Sequence, residues 1–345
     1  MRWGLGVLLA TAASVALAQS APRSDPGAEA AAAIMQEAPP ADGPAALAHV
    51  NRARRLAGKD LPRPLELCNG NRSIGRSFQE NSRTWLEPTK VFDNLYYVGT
   101  LFVGVWIVKT SQGLILIDAL GSANDARDRL VPGLRKLGLD PAQIKYVLVT
   151  HGHWDHYGGA QYLRDNFGAR VGLAEPDWHM MSIMPLDGPM LGNQPPPKKD
   201  MVITDGQKLT LGDTTVSLYV TPGHSPGTIS AIIPVREGGN IYPLSLLGGT
   251  AFPVTLEPNP NGGGLLLNSE SVRRLARLSR QAGAVGIINT HISNDGSADR
   301  LSALAKRQKG QPNPFVIGAD AVRRHYGVFD ECLQAAIARR RAAGG

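Results

Sequence analysis

The chain has 345 residues, 43% of them apolar and 19% charged, which is enough to build a full core and excludes a wholly disordered protein. The formal net charge is +7. The basic residues are scattered, and the densest groups are "RRLAGK", "VRRLARLSR" and "IARRRAAGG". The first two read as solvated helix faces, which argues against a nucleic-acid partner.

The chain opens on "MRWGLGVLLATAASVALAQS": Arg2, an apolar run, then small residues at Ala16 and Ala18. This reads as a secretory signal over residues 1–18, cleaved after Ala18, so the mature protein is expected in the periplasm or secreted; an uncleaved N-terminal anchor is the other reading. The apolar run is short for a membrane span, and no other segment reads as one, so no stable membrane insertion is expected after processing. Residues 19–60 read as a flexible Ala/Pro-rich leader ending in a short helix around "PAALAHVNRARRLAG". Residues 61–345 form the expected folded domain. Cys68 and Cys332 are the only cysteines. Export permits a disulfide between them, which would close a very long loop and stabilise by about 5 kcal/mol. Two separate thiols is the other reading, and geometry decides.

From Phe92 onward the pattern turns to β-rich apolar runs broken by glycine or polar turns. "LYYVG", "FVGVWIVKT" and "GLILIDAL" read as successive strands. "ANDARDRLVPGLRKLGL" has helical spacing, and "IKYVLVT" is a buried strand that leads straight into "THGHWDHYGG". "GAQYLRDNFG" reads as helix, "ARVGLA" as strand and "EPDWHMMSIM" as helix. A long Pro/Gly loop follows, "PLDGPMLGNQPPPKKD". A second set of strands runs through "MVITDG", "QKLTLGD", "TTVSLYVT", "ISAIIPV" and "NIYPLSLLGG". "NSESVRRLARLSRQAG" reads as a helix capped by Asn268 or Ser269, with Gly283 just past its end. "VGIINT" is a last strand, followed at once by His291, and two helices close the chain. Two rounds of strands and helices predict an α/β fold of two packed sheets with helices outside.

Three histidines and an aspartate crowd into Thr150–Gly159. Imidazole and carboxylate are natural Zn²⁺ ligands, and no packing need demands such a set. His151 and His153 are two apart, so in extended chain they face the same way. Asp155 and His156 are adjacent and tend to point apart from each other. One turn can thus serve two ions, with Gly152, Gly158 and Gly159 letting the backbone fold tightly. His224 in "VTPGHSPG" and His291 in "INTHIS" also follow strands directly, and strand ends gather where ligand sites form. His49, His179 and His325 sit in helical contexts and carry no expected role.

On these residues the chain resembles the metallo-β-lactamase superfamily, from about Phe92 to Ala338. "THGHWDHYGG" matches its signature, "LIDAL" the strand whose aspartate, here Asp118, supports the metal loop, and "TPGHSPG" and "NTHIS" the later ligand segments. The resemblance implies the αβ/βα sandwich of that fold and two Zn²⁺ per chain. The first ion would take His151, His153 and His224, and the second Asp155, His156 and His291. This pattern is similar to the subclass B3 metallo-β-lactamases. Many relatives, such as glyoxalase II and the acyl-homoserine lactonases, carry a Gly-Asp pair whose aspartate bridges the metals. The matching strand here ends "SLLGGTAFP", so Gly249 and Thr250 stand where that carboxylate would be. The departure favours opening of a β-lactam ring by a metal-bound hydroxide that Asp155 orients. Hydrolysis of another lactone, ester or amide is the alternative, and a non-catalytic metal-binding protein is a third reading. Thr250 is a candidate supporting or substrate-contacting hydroxyl. Lys198 and Lys199 are candidates to attract an anionic small-molecule substrate, although a solvated loop is the simpler reading of that pair.

Overall fold

A computed structural model describes Met1 and residues 42–70, 76, 78, 80–258 and 263–344. The expected signal segment, apart from Met1, and the leader up to residue 41 lie outside the described residues. Among the described residues, no helix is long and apolar enough to cross a membrane.

Two sheets form the centre. The first has seven strands in the order β1 to β7: Thr89–Lys90, Leu95–Gly99, Gly104–Thr110, Gly113–Ile117, Ile144–Leu148, Arg170–Ala174 and Met201–Ile203. Its pairs are antiparallel up to β4 and parallel from β4 to β7. The second has five strands in the order β12-β11-β10-β9-β8, made of Lys208–Leu211 (β8), Thr214–Val220 (β9), Ile229–Glu237 (β10), Asn240–Leu246 (β11) and Gly286–Ile288 (β12). Only the β11–β12 pair is parallel. The main helices are α1 Pro44–Ala57, α2 Ala160–Phe167, α3 Glu175–Ile183, α4 Leu265–Gln281, α5 Ser297–Ala305 and α6 Ala319–Ala342. This is the expected αβ/βα sandwich.

The side-chain period of two explains the layers. In β3, Trp106 and Val108 face inward to meet Val216, Leu218, Ile233 and Leu244 of the second sheet. Val105 and Ile107 face outward, onto the layer holding Leu130, Leu134 and Leu163. A strand buried on both faces reads as one continuous apolar run, which is why β2 to β4 were plain in the sequence. A third cluster sets α4 and α6 against the second sheet and takes in Val50, Ala53 and Ala57 of α1. Helix α1 is therefore built into the domain, and the folded unit includes residues from Pro44 rather than beginning at residue 61. Cys68 and Cys332 form a disulfide, Cα to Cα 4.4 Å, within the same cluster.

Two local expectations change. The helix expected over 123–139 breaks into Ala123–Asp125, Ala126–Leu130 and Val131–Lys136, and the middle piece is wound more loosely. Pro132 has no N–H to continue an α-helical ladder at that point. Helix α4 starts at Leu265 with Gly264 as its cap, so Asn268 and Ser269 are buried inside it rather than at its end. Leu265 and Leu266 extend its apolar face backwards, and a glycine run before them hides the start.

The site lies where several strands end. Strand β4 leads to Asp118, β5 to His151, β11 to Gly248 and β12 to His291, and the β9–β10 connection carries His224. At this edge the Ile229 N–H donates to the Thr150 carbonyl (2.7 Å) and the Gly104 N–H to the Thr290 carbonyl (3.0 Å), so the sheets are stitched together beside the ligands.

Candidate metal centre

Six side chains converge in two triads: His151, His153 and His224, then Asp155, His156 and His291. In the first, the Nε2 atoms of His151 and His224 are 3.0 Å apart, and His224 Nε2 lies 3.2 Å from His153 Nδ1. In the second, His156 Nε2 is 3.1 Å from His291 Nε2, and the Asp155 carboxylate is 3.4 Å from His156 and 3.5 Å from His291. Ligands about 2.05 Å from one tetrahedral ion stand about 3.3 Å from each other, so both triads have the spacing that Zn²⁺ needs. The rings of His151 and His156 lie 3.9 Å apart between centroids, which sets the triads side by side.

The opposite ring nitrogen is anchored in four of the five histidines. His151 Nδ1 donates to the Gly248 carbonyl (2.9 Å), His224 Nδ1 to the Ala251 carbonyl (2.7 Å) and His291 Nδ1 to the Phe102 carbonyl (3.2 Å). His156 Nδ1 donates to Asp118 Oδ2 (2.6 Å). Each bond fixes the tautomer that leaves Nε2 free to bind metal. Asp118 also accepts from the Thr150 N–H (2.6 Å) and hydroxyl (3.0 Å). Asp118 and Leu120 hold left-handed φ values of 68° and 64°. Such backbone costs about 1–3 kcal/mol per residue and persists where surrounding contacts over-determine it.

Electrostatics favour the metal-binding protonation state in five of the six ligands, all but His156. Burial and the neighbouring imidazoles hold His151 and His153 well below the ordinary histidine value. Burial pushes His224 and His291 down to about 4, so all four present neutral nitrogens. Burial opposes ionisation of Asp155, but His156 and His291 outweigh it and keep the carboxylate charged. Burial likewise opposes protonation of His156, but Asp155 and Asp118 outweigh it and push the imidazole up to about 10, so an ion bound there displaces that proton.

Glycine matters at two points. A Cβ at Gly158 would sit 2.1 Å from the Gly121 carbonyl oxygen, so only glycine allows the turn after His156 to close on the β4 loop. A Cβ at Gly249 would sit 2.4 Å from the His224 ring, so no side chain fits there. Thr250 is buried, and its hydroxyl accepts from Asn294 Nδ2 (2.8 Å), tying the β11 loop to the segment after His291. Neither residue of the Gly249–Thr250 pair thus offers a carboxylate between the triads.

Lys198 and Lys199 belong to the loop that precedes β7. The Lys198 carbonyl accepts from Arg164 of α2, Lys199 pairs with Glu175 (2.6 Å), and the next residue, Asp200, pairs with Arg170 at the start of β6. Lys199 thus reaches the start of α3, just past the C-terminal end of β6, and among the described residues neither lysine bonds to any of the six ligands. His49 meets Glu331 near the surface (2.7 Å), and His325 is buried in α6. Sequence reasoning missed Asp177, whose buried carboxylate touches two ligand-bearing turns. Burial pushes it up to about 6 against three hydrogen bonds that favour its charge. It also missed the carbonyls of Gly248, Ala251 and Phe102, for which residue identity gives no signal.

Fold and motif resemble those of the metallo-β-lactamase superfamily, whose family model matches residues 98–241. Within it, the chain resembles the subclass B3 metallo-β-lactamases. It is similar to BJP-1, a subclass B3 enzyme of Bradyrhizobium japonicum, with TM-score 0.63 and 26% identity, covering 77% of this chain and 99% of that one. It is similar to MEM-A1, a subclass B3 enzyme from a soil metagenome, with TM-score 0.61 and 26% identity over 75% and 98% of the two chains. By sequence it is also 30% identical over 148 residues to the hydroxyacylglutathione hydrolase GloC of Haemophilus influenzae, covering 40% of this chain and 65% of that one. The chain spans 36% and 38% of two further curated relatives.

Proposed function

We propose that the chain is an exported di-zinc hydrolase that opens the β-lactam ring of a small, anionic substrate. The observation that carries this reading is the six-ligand centre without a bridging carboxylate, closed at Gly249 by the His224 ring. When bound, two zinc ions would supply Lewis-acid polarisation of the scissile carbonyl and a water acidic enough to give a nucleophile at neutral pH. His151, His153 and His224 would hold one ion, and Asp155, His156 and His291 the other. The chain's own work is orientation. Carbonyls and Asp118 lock four imidazoles, and the charged Asp155 accepts a hydrogen bond from the attacking water and aims it. Substrate recognition belongs to the loops around the centre.

Hydrolysis of an acyl-glutathione thioester is the second reading, favoured by the sequence likeness to hydroxyacylglutathione hydrolases. The deciding experiment offers the protein a penicillin, a cephalosporin, a carbapenem and an acyl-glutathione thioester, with zinc and with chelator. Ring opening that chelator abolishes and zinc restores is the expected result. Thioester turnover without β-lactam turnover would replace the proposal by the second reading. Export adds its own check: protein recovered from the periplasm of an expressing bacterium should begin at Gln19.

A further inference from the structure

Asp177 is the third residue of α3 and has no exposed surface. An acidic side chain in a first helical turn ordinarily answers its own helix terminus. The bonds of this carboxylate go to other segments instead. Oδ2 accepts from the Gly152 N–H (2.7 Å) and from the Ser225 hydroxyl (2.7 Å), and Oδ1 accepts from the Gly227 N–H (2.6 Å). Gly152 separates His151 from His153, and Ser225 directly follows His224. One buried carboxylate therefore spans the two turns that supply all three ligands of the first triad. His156 of the second triad is anchored by a different carboxylate, Asp118.

We propose that Asp177 is a positioning residue for the first metal site, setting the gap between the His151–His153 turn and the His224 turn and so the affinity of that site. The inference rests on the di-metal reading above. The physical reason is the cost of orphaned donors. Without the carboxylate, two buried N–H groups and a buried hydroxyl lose their acceptor, and the turns must move to satisfy them. Nitrogens now 3.0 and 3.2 Å apart leave little room for such movement around one ion. Asparagine would retain one acceptor oxygen and set an N–H against a donor, so it keeps part of the clamp at most.

The test is a zinc titration of the metal-free full chain by calorimetry, for the wild type, Asp177→Asn, Asp177→Ala and Ser225→Ala. His224→Ala and His291→Ala identify which binding step belongs to which site. In Asp177→Asn the first site should weaken about 10- to 100-fold, with the second step little changed. Ser225→Ala removes one of the three donors and should weaken the same step by less. Melting of the zinc-free proteins shows which variants are folded. If neither Asp177 variant folds, Ser225→Ala decides on the same two steps. Equal weakening of both steps, or an unchanged first step in a folded variant, overturns the inference while leaving the di-metal reading intact. A wild type that takes up no zinc overturns both.

Discussion

Gly249 shows how one residue restricts the chemistry around it. Its α-carbon stands so close to His224 that even a methyl group would displace the ring. Gly249→Ala is therefore expected to lower stability by about 1–3 kcal/mol through overpacking. It should also weaken zinc binding at the His224 site, because the ring must shift to make room. Thermal melts and zinc titrations of the variant check both effects, and an unchanged affinity would show that the ring has space to spare. Neighbouring Thr250 acts differently, since its contact with Asn294 holds the β11 loop against the segment after His291.

At the scale of elements, the last helix does two separate jobs. Helix α6 carries Cys332, whose disulfide to Cys68 closes a sequence separation of 264 residues and pins the segment after α1 to the domain. Replacing both cysteines with alanine should cost about 2–5 kcal/mol of stability and leave zinc affinity unchanged, since neither cysteine touches the centre. The same helix buries His325, which burial and nearby Arg300 push down to about 3 from an ordinary 6.5. Between those values the unfolded chain takes up a proton that the folded chain refuses, so this residue erodes stability as pH falls from 6.5 towards 3. Above 6.5 both forms are neutral and it costs nothing. His325→Leu should lose less stability than the wild type when melts near neutral pH are compared with melts at about pH 4.5. An equal loss in both proteins would place the acid sensitivity elsewhere.

The strands and the crowded turn were legible because each is contiguous. β2 to β5 are largely apolar runs, with Lys109 and Lys145 their only charged residues, and His151, His153, Asp155 and His156 fall within six positions. Asp177 was not legible because its partners lie 25, 48 and 50 residues away in sequence. The one local hint was an acid set beside Trp178, Met180 and Met181 on a helix with little amphipathic contrast. The start of α4 was obscured by glycines, and the two-residue strand β1 is too short to leave a period.

Across the whole molecule, the two sheets meet so that ligands from distant parts of the chain share one edge, and the fold and the metals should stabilise each other. Zinc at about 100 times its Kd would add about 2.7 kcal/mol per site by mass action. The central claim is that this edge holds two ions in two separate triads, and zinc stoichiometry tests it most directly. The mature protein should carry two zinc ions per chain after dialysis, and His224→Ala and His291→Ala should each retain one. A folded wild type holding one zinc or none, or a single substitution that releases both ions, would contradict the account.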